Sequence, residues 1–277
     1  MILYKYLQPV RLDVLKNKSI RFTQPGDMND PFEFRPRIRE VASDAEVQAH
    51  VEEHFEQLID EELSKYGALT RLLPQAGLRE LLLKQKAMVP ELIRVLQPDA
   101  IERLSPMIED FFNLNIGILC LSEVRDSVLM WSHYTDNHQG FVVGFDSDDP
   151  FFCKRTNIND EFGFLRCVQY QAQRPQVALA DTTSLEWFQT KSGDWSYEKE
   201  WRIVRVLSEA DHHIDQSPFP VYLYDFGADA VREIIVGMRS TLSFVDETLS
   251  LAASFPRALV FRAREDSGYR LDFERID

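Results

Sequence analysis

Two carboxylates and a guanidinium alternate along one short stretch of the sequence: Glu198, Glu200 and Arg202. Side chains of a strand point alternately to opposite faces, so these three are predicted to share one face. One interpretation is an edge strand in solvent, with weak ion pairs. The other is an acidic pair in a cleft: the arginine holds one carboxylate, and the other accepts a hydroxyl proton or stabilises a developing cation. Trp195 and Trp201 nearby indicate that water does not simply surround this strand.

A short helix is predicted over 127–134, where serine, methionine and aromatic residues follow one another. One interpretation is a packed Tyr134 that satisfies its hydroxyl locally. In the other, Tyr134 is a flat platform on which a heteroaromatic ring stacks, and the Ser132 hydroxyl fixes a polar substituent of that ring. The second interpretation predicts a binding site for a ring-bearing ligand.

Metal and serine-hydrolase chemistry have weaker signals. His133 and His138 are five residues apart, a spacing that does not place two imidazoles on one helical face. Cys120, Cys153 and Cys167 are odd in number and lack C-x-x-C spacing, so buried reduced thiols are expected. No G-x-S-x-G, G-x-G-x-x-G or G-x-x-x-x-G-K-[ST] pattern occurs. From the spacing of the histidines and cysteines we expect no metal site. From the absent motifs we expect neither a serine-hydrolase elbow nor a common phosphate loop.

Composition restricts the partners. The chain has 277 residues and a formal charge of −14, which disfavours binding to long duplex nucleic acid but leaves room for a local basic pocket. No apolar run approaches the roughly 20 residues that cross a bilayer, and the first residues lack a signal-peptide pattern. We expect a cytoplasmic protein without membrane contact.

Hydrophobic periodicity predicts one α+β domain over residues 1–277. Apolar spacing typical of helices fills about residues 41–115, which we interpret as a helical insertion that caps the site. Strand patterns lie on both sides of this block. Helices between the later strands are few and short, so strict βαβ alternation is absent. The prediction is a mixed α+β fold, and a doubly wound parallel sheet is disfavoured.

The motif-bearing segments resemble a bacterial family known as domain of unknown function 2971. Its pattern has an L-Y-[KH]-Y start, an N-D-P-F-E loop, an M-W-S-H-Y-x-x-x-H-x-G segment and a K-x-x-x-W-x-x-E-x-E-W-R segment. Here these parts lie at residues 3–6, 29–33, 130–140 and 191–202. The resemblance extends over about residues 1–237 and names no activity.

The order of these parts also resembles that of ADP-ribosyltransferases, which include DNA-modifying toxins and the poly-ADP-ribose polymerase group. The resemblance implies an ADP-ribosyltransferase-like fold, an α+β fold with a mixed, mainly antiparallel split sheet. It also implies that the nicotinamide ring of NAD stacks on Tyr134. It implies that Glu200, the second glutamate of the E-x-E pattern, is catalytic together with Glu198. Lys5 stands where those enzymes have His or Arg. The implied NAD contacts come from Tyr134, Ser132, Lys5, Tyr6 and Arg202.

The function that this resemblance implies is an NAD-dependent ADP-ribosyltransferase or another NAD-consuming enzyme, with a toxin or phage-defence role. NAD and an acceptor of unknown identity are the expected partners. A non-enzymatic module that binds a ligand or partner is the first alternative. A metal-dependent hydrolase or nuclease that uses the same carboxylates is the second alternative.

Overall fold

The computed structural model describes residues 1–35, 37–65, 75–155, 162–179 and 186–277. The chain divides into two compact units. The first consists of residues 1–35, 109–174 and 185–277, and the second of residues 36–108 and 175–184. The single domain with an insertion over about 41–115 stays a prediction.

The strands of the described residues are numbered in chain order. They are Ile2–Leu7 (β1), Ser19–Phe22 (β2), Arg37–Glu40 (β3), Ile116–Ser122 (β4), Phe141–Asp146 (β5), Arg166–Cys167 (β6), Gln169–Gln171 (β7), Gln176–Ala178 (β8), Thr190–Ser192 (β9), Glu200–Val206 (β10), His212–Ile214 (β11), Val221–Asp225 (β12), Val231–Val236 (β13), Leu259–Glu265 (β14) and Leu271–Arg275 (β15).

The helices of the described residues are Asp13–Asn17 (α1), Asp44–Lys65 (α2), Gln75–Leu83 (α3), Val89–Asn115 (α4), Val128–Tyr134 (α5), Glu186–Gln189 (α6) and Leu242–Ala252 (α7). Ser127 is the N-cap residue of α5, and its hydroxyl accepts a hydrogen bond from the Met130 N–H. None of these helices is both long and apolar enough to cross a membrane.

The first unit is built on an eight-stranded sheet with the order β15-β14-β13-β5-β1-β4-β10-β6. Neighbouring strands are antiparallel except for β13 and β14, which are parallel. The prediction of a mixed α+β fold with a mainly antiparallel sheet is therefore confirmed.

This sheet splits between β1 and β4. Strand β1 pairs with β5 along its full length, from Ile2 opposite Asp146 to Leu7 opposite Phe141. Against β4 its described pairing is Tyr4 opposite Ser122 alone. Ser122 is the last residue of β4, and residues of both strands line a cavity beside this pair.

The central strands are buried on both faces. One face packs residues such as Leu3, Phe141 and Phe145 into the larger core. The other packs Tyr6 and Trp131 into a smaller one, with the two rings edge to face at 5.7 Å. Apolar side chains on both faces are what a strand in the middle of a covered sheet requires.

The loop that leads from α5 into β5 requires a glycine. Asp136, Asn137 and His138 all have positive φ, so the chain turns tightly after the helix. At Gly140 a Cβ atom would lie 2.1 Å from the carbonyl oxygen of Leu7. Only glycine therefore lets β5 begin beside the end of β1.

The second unit contains α2, α3 and the parallel pair of β3 with β8. The sequence over 43–46 predicts a capping box at the start of α2, and it is present: Ser43 and Glu46 exchange hydrogen bonds. Gly67, predicted to end that helix, lies outside the described residues. The apolar spacing predicts separate helices over 90–96 and 98–112, which is wrong: one helix, α4, continues through Pro98 and Pro106.

Candidate functional site

A cavity of about 120 Å³ lies at the split between β1 and β4. Its walls come from these two strands, from residues 28–33, from α5 and from the segment between β9 and β10. Five of the seven predicted site residues line it. They are Lys5, Tyr6, Tyr134, Glu198 and Glu200.

Glu198 does not lie on the strand that carries Glu200 and Arg202. It ends a 3₁₀ helix, Gly193–Glu198, and β10 begins two residues later. Between them Lys199 has φ of 43°, a left-handed conformation that turns the chain. The prediction that all three charged residues share one strand face is therefore wrong for Glu198. The two carboxylates nevertheless meet, because both contact the same ammonium group.

That ammonium group belongs to Lys191 on β9. Its Nζ lies 2.7 Å from Glu198 Oε2, 2.9 Å from Glu200 Oε2 and 2.9 Å from Glu33 Oε1. The same Nζ lies 4.9 Å from the centre of the Trp195 ring. One cation thus holds three carboxylates, one from the loop at 29–33 and two from the segment at 198–200.

Arg202 is the second cation of this cluster. It donates from Nε to Glu200 Oε1 at 2.5 Å, and from Nη2 to Glu200 Oε2 at 3.1 Å and to Glu33 Oε1 at 3.0 Å. Its Nη1 donates to the carbonyl oxygen of Phe188 at 3.1 Å. Arg202 does not line the cavity, so it acts on the site through the carboxylates it holds.

The cluster is buried. The side chains of Glu33, Glu198, Glu200, Lys191 and Arg202 are between 1% and 5% exposed. Strand β10 is also covered by β4 on one side and by β6 on the other. The interpretation of a solvated edge strand with weak ion pairs is therefore wrong, and the charges are compensated by one another instead of by water.

Burial and charge shift the pKa values in the cluster. Burial alone would raise the pKa of Glu200, but Arg202 and Lys191 outweigh it and hold that pKa well below its usual range. Burial also opposes the charge of Lys191, yet Glu200 and Glu33 raise its pKa above the usual value. For Glu33 burial prevails over both cations and raises its pKa.

Sequence reasoning assigned no role to Glu33, Asn29 or Lys191. All three lie in the motif segments, which was the available signal. Asn29 and Glu33 come from one loop beside the cavity, and each contacts a different part of the site. Asn29 Nδ2 donates to the hydroxyl of Tyr134 at 3.1 Å, whereas Glu33 contacts the two cations.

Tyr134 is joined directly to the acidic pair. Its hydroxyl donates to Glu198 Oε1 at 2.6 Å. Burial, and next the charge of Glu198, raise the pKa of Tyr134, so the phenol keeps its proton at neutral pH. Ser132 lies elsewhere: its hydroxyl donates to Val128 O at 2.9 Å and lies 3.2 Å from His138 Nε2. Ser132 is not among the residues that line the cavity.

Lys5 and Tyr6 form the β1 side of the cavity. Lys5 Nζ donates to the carbonyl oxygen of Cys120 at 3.0 Å, across the split. Among the described residues Lys5 has no carboxylate within ion-pair distance, and burial lowers its pKa. The Tyr6 hydroxyl donates to Val124 O at 2.8 Å, and burial raises its pKa. Lys5 therefore brings donor capacity to the cavity that the protein does not use fully.

No group of three or more His, Cys, Asp and Glu side chains is arranged to hold a metal ion in the part of the chain that the structure describes. The cysteines are free thiols, and Cys153 and Cys167 are exposed, which corrects the expectation of three buried thiols. These two lie on short surface segments, Cys153 after a 3₁₀ turn and Cys167 in the two-residue strand β6.

The fold and the site together define a mixed α+β protein in which a buried ion cluster borders a small cavity at a split in the sheet. A family model described as "Protein of unknown function (DUF2971)" matches residues 130–203. That segment contains Tyr134, Lys191 and the acidic pair, and the match supports the resemblance to this family. No curated protein and no solved structure matches the chain.

Proposed function

We propose that this protein binds NAD in the cavity at the split and breaks its bond between ribose and nicotinamide, as an ADP-ribosyltransferase or another NAD-consuming enzyme does. One observation carries the proposal: the split sheet brings Tyr134, Lys5 and a glutamate pair around one small cavity. The ADP-ribosyltransferase-like arrangement of the sheet and the toxin or phage-defence role belong to this proposal.

The cavity suits one ring of such a ligand. Its volume of about 120 Å³ is close to the ~150 Å³ that encloses benzene in an engineered protein cavity. It is smaller than the ~300–1,000 Å³ of a pocket for a whole drug-sized ligand. A nicotinamide ring would therefore occupy the cavity, and the rest of the dinucleotide would lie outside it.

The polar groups of the cavity also suit NAD. Tyr134 offers a ring face for stacking, and Asn29 beside it offers an amide. Lys5 provides a cation with unused N–H donors, which favours a ligand that carries negative charge. Glu198 and Glu200, which also line the cavity, provide negative charge. A ligand with both an anionic part and a cationic ring fits this combination.

In bound NAD, the bond between ribose C1′ and nicotinamide would break, and its electron pair would leave with nicotinamide. Water or another acceptor would bond to C1′ and release a proton. A carboxylate of the glutamate pair would stabilise positive charge that develops on the ribose as the bond breaks. Tyr134 would hold the leaving ring in place. Lys191 and Arg202 keep the carboxylates fixed, so little reorganisation is needed during the step.

Calorimetric titration with NAD and chromatography of released nicotinamide test the proposal. We expect binding by the pure protein and slow release of nicotinamide, which a chelator does not abolish. Incubation of labelled NAD with a cell lysate then shows whether a protein, a nucleic acid or water is the acceptor. Loss of activity with the chelator would instead indicate the metal-dependent alternative. Absence of NAD binding would reject the proposal.

A non-enzymatic binding module is the second candidate, and the buried cluster is the observation that favours it. Every carboxylate of the cluster is paired with Lys191 or Arg202, as in an ion network that stabilises a core. NAD or another ligand would then bind without reaction. Saturable binding with no nicotinamide release over long incubation would support this candidate.

A further inference from the structure

We propose that Glu198 is the carboxylate that meets the ligand and that Glu200 is a positioning residue. This division of roles rests on the proposed function. It differs from what the E-x-E resemblance implies, namely that the second glutamate is catalytic. Four observations, on hydrogen-bond capacity, contacts with Tyr134, backbone support and the role of Lys191, carry it.

Glu200 has little capacity left for a ligand. Oε1 accepts from Arg202 Nε, and Oε2 accepts from both Lys191 Nζ and Arg202 Nη2. A carboxylate offers about four acceptor positions in all. Each oxygen of Glu200 already faces at least one cation, so a ligand hydroxyl would have to compete with charged donors that are shielded from water.

Glu198 is less occupied. Oε2 accepts from Lys191 Nζ at 2.7 Å, and Oε1 accepts from the Tyr134 hydroxyl at 2.6 Å. The donor to Oε1 is therefore neutral, and two acceptor positions of the carboxylate receive no hydrogen bond from the described residues. Within the described part of the chain, Oε1 of Glu198 is the one oxygen of the four in the pair without a cationic hydrogen-bond donor. It is the oxygen best able to accept a ligand hydroxyl or stabilise positive charge.

Glu198 is also directly connected to the proposed ring platform. Tyr134 bonds to Glu198 and not to Glu200, so a ligand that stacks on Tyr134 lies beside the Glu198 carboxylate. The backbone of Glu198 is fixed as well, because the buried Ser122 hydroxyl donates to its carbonyl oxygen at 2.5 Å. A charged group held from two sides is preorganised for electrostatic stabilisation.

Glu200 acts on this group through Lys191. It shares the Lys191 ammonium with Glu198 and holds Arg202 in place by two hydrogen bonds. Removal of its charge leaves Lys191 with one carboxylate fewer to neutralise, so Lys191 acts more strongly on Glu198. A positioning role therefore predicts a change in the pH profile of nicotinamide release, which a purely structural role of Glu200 would not produce.

The variants Glu198→Gln and Glu200→Gln test the division of roles. Four quantities are measured for each: the melting temperature, the Kd for NAD, the rate of nicotinamide release and its pH profile. For Glu198→Gln we expect a melting temperature within about 3 °C of the parent and release at least ~10²-fold slower, as for loss of one preorganised charge. For Glu200→Gln we expect a melting temperature lower by several degrees, release within ~10-fold of the parent, and an acid limb moved to lower pH.

Parental turnover in Glu198→Gln would overturn the inference. So would loss of turnover in Glu200→Gln at unchanged melting temperature, even with the proposed function intact. If Glu200→Gln does not fold, Glu200→Asp, which keeps the charge, takes its place and the Glu198 result still decides. A parent that does not bind NAD, or that binds it without cleavage, rejects the proposed function. A parent that cleaves NAD, with parental turnover in Glu198→Gln, overturns the assignment of Glu198 alone.

Discussion

Arg202 holds the carboxylate of Glu200, two residues earlier on the same strand, by two hydrogen bonds of 2.5 and 3.1 Å. Residues two apart on a strand share a face, and here that face is buried instead of solvated. A buried ion pair of this kind contributes little net stability as a whole, but breaking it by removal of one partner is costly. The charged cluster should therefore respond much more strongly to single substitutions than to removal of whole pairs.

Lys191→Met should be among the most destabilising single substitutions in the first unit. It removes the cation that Glu33, Glu198 and Glu200 share and leaves three carboxylates close together in a buried site. We expect a loss of about 3–5 kcal/mol in the free energy of unfolding, measured by urea denaturation. Lys16→Met, at an exposed position, is the matched control and should change stability by less than about 0.5 kcal/mol. Equal effects of the two substitutions would contradict a shared buried cation.

Glu33→Gln and Glu200→Gln should alter the pH dependence of stability in opposite directions. The pKa of Glu200 is lowered, so its contribution is present above the unfolded value of about 4.3 and is lost as pH falls. The pKa of Glu33 is raised, so its contribution is fully present below about 4.3 and is lost as pH rises through the folded-state pKa.

Melting curves of the parent and both variants between about pH 4 and pH 8 check this prediction. The deficit of Glu200→Gln relative to the parent should grow from acid to neutral pH. The deficit of Glu33→Gln should shrink over the same interval. If both deficits changed in the same direction, at least one of the two pKa shifts would have the wrong sign.

Much of the sheet could be predicted, because strand alternation and apolar runs are local signals. The local patterns predict strands over 140–145 and 201–207, and the structure has strands at Phe141–Asp146 and Glu200–Val206. The split could be expected from resemblance, but no residue pattern identifies Tyr4 and Ser122 as the point where β1 meets β4. Pairing between residues more than a hundred positions apart depends on the whole core and not on local sequence.

The sequence named part of the group of residues around the cavity but not their contacts. Tyr134, Glu198 and Glu200 were expected in one site, and in the structure all three line the same cavity. The turn at Lys199 was missed, since a lysine in the left-handed conformation leaves no sequence signal comparable to that of glycine. Glu33 was missed because it reaches the cluster from a loop about 160 positions away in the chain, a contact that only the fold creates.

Ser122→Ala should loosen the turn that carries Glu198. The Ser122 hydroxyl donates to the carbonyl oxygen of Glu198 at 2.5 Å and accepts the Val124 N–H at 3.0 Å. Its removal leaves two buried backbone groups without this partner, so we expect a loss of about 1–3 kcal/mol in unfolding free energy. Ser196→Ala, at an exposed position of the same 3₁₀ helix, is the control for thermal and urea melts. Equal stability of both variants would mean that the hydroxyl does not support this turn.

Lys5→Met should separate stability from ligand binding. Lys5 donates one hydrogen bond, to Cys120 O, and burial lowers its pKa, so its charge is disfavoured in the folded protein. Loss of that bond and relief of the buried charge oppose each other, and we expect a change in unfolding free energy within about 1 kcal/mol. The Kd for NAD, measured by calorimetry, should rise about tenfold or more, because the cation that favours an anionic ligand is gone.

Lys199→Met, an exposed change of the same charge beside the acidic pair, should leave that Kd within about twofold. A large loss of stability in Lys5→Met with an unchanged Kd would show that Lys5 supports the split and does not contact the ligand.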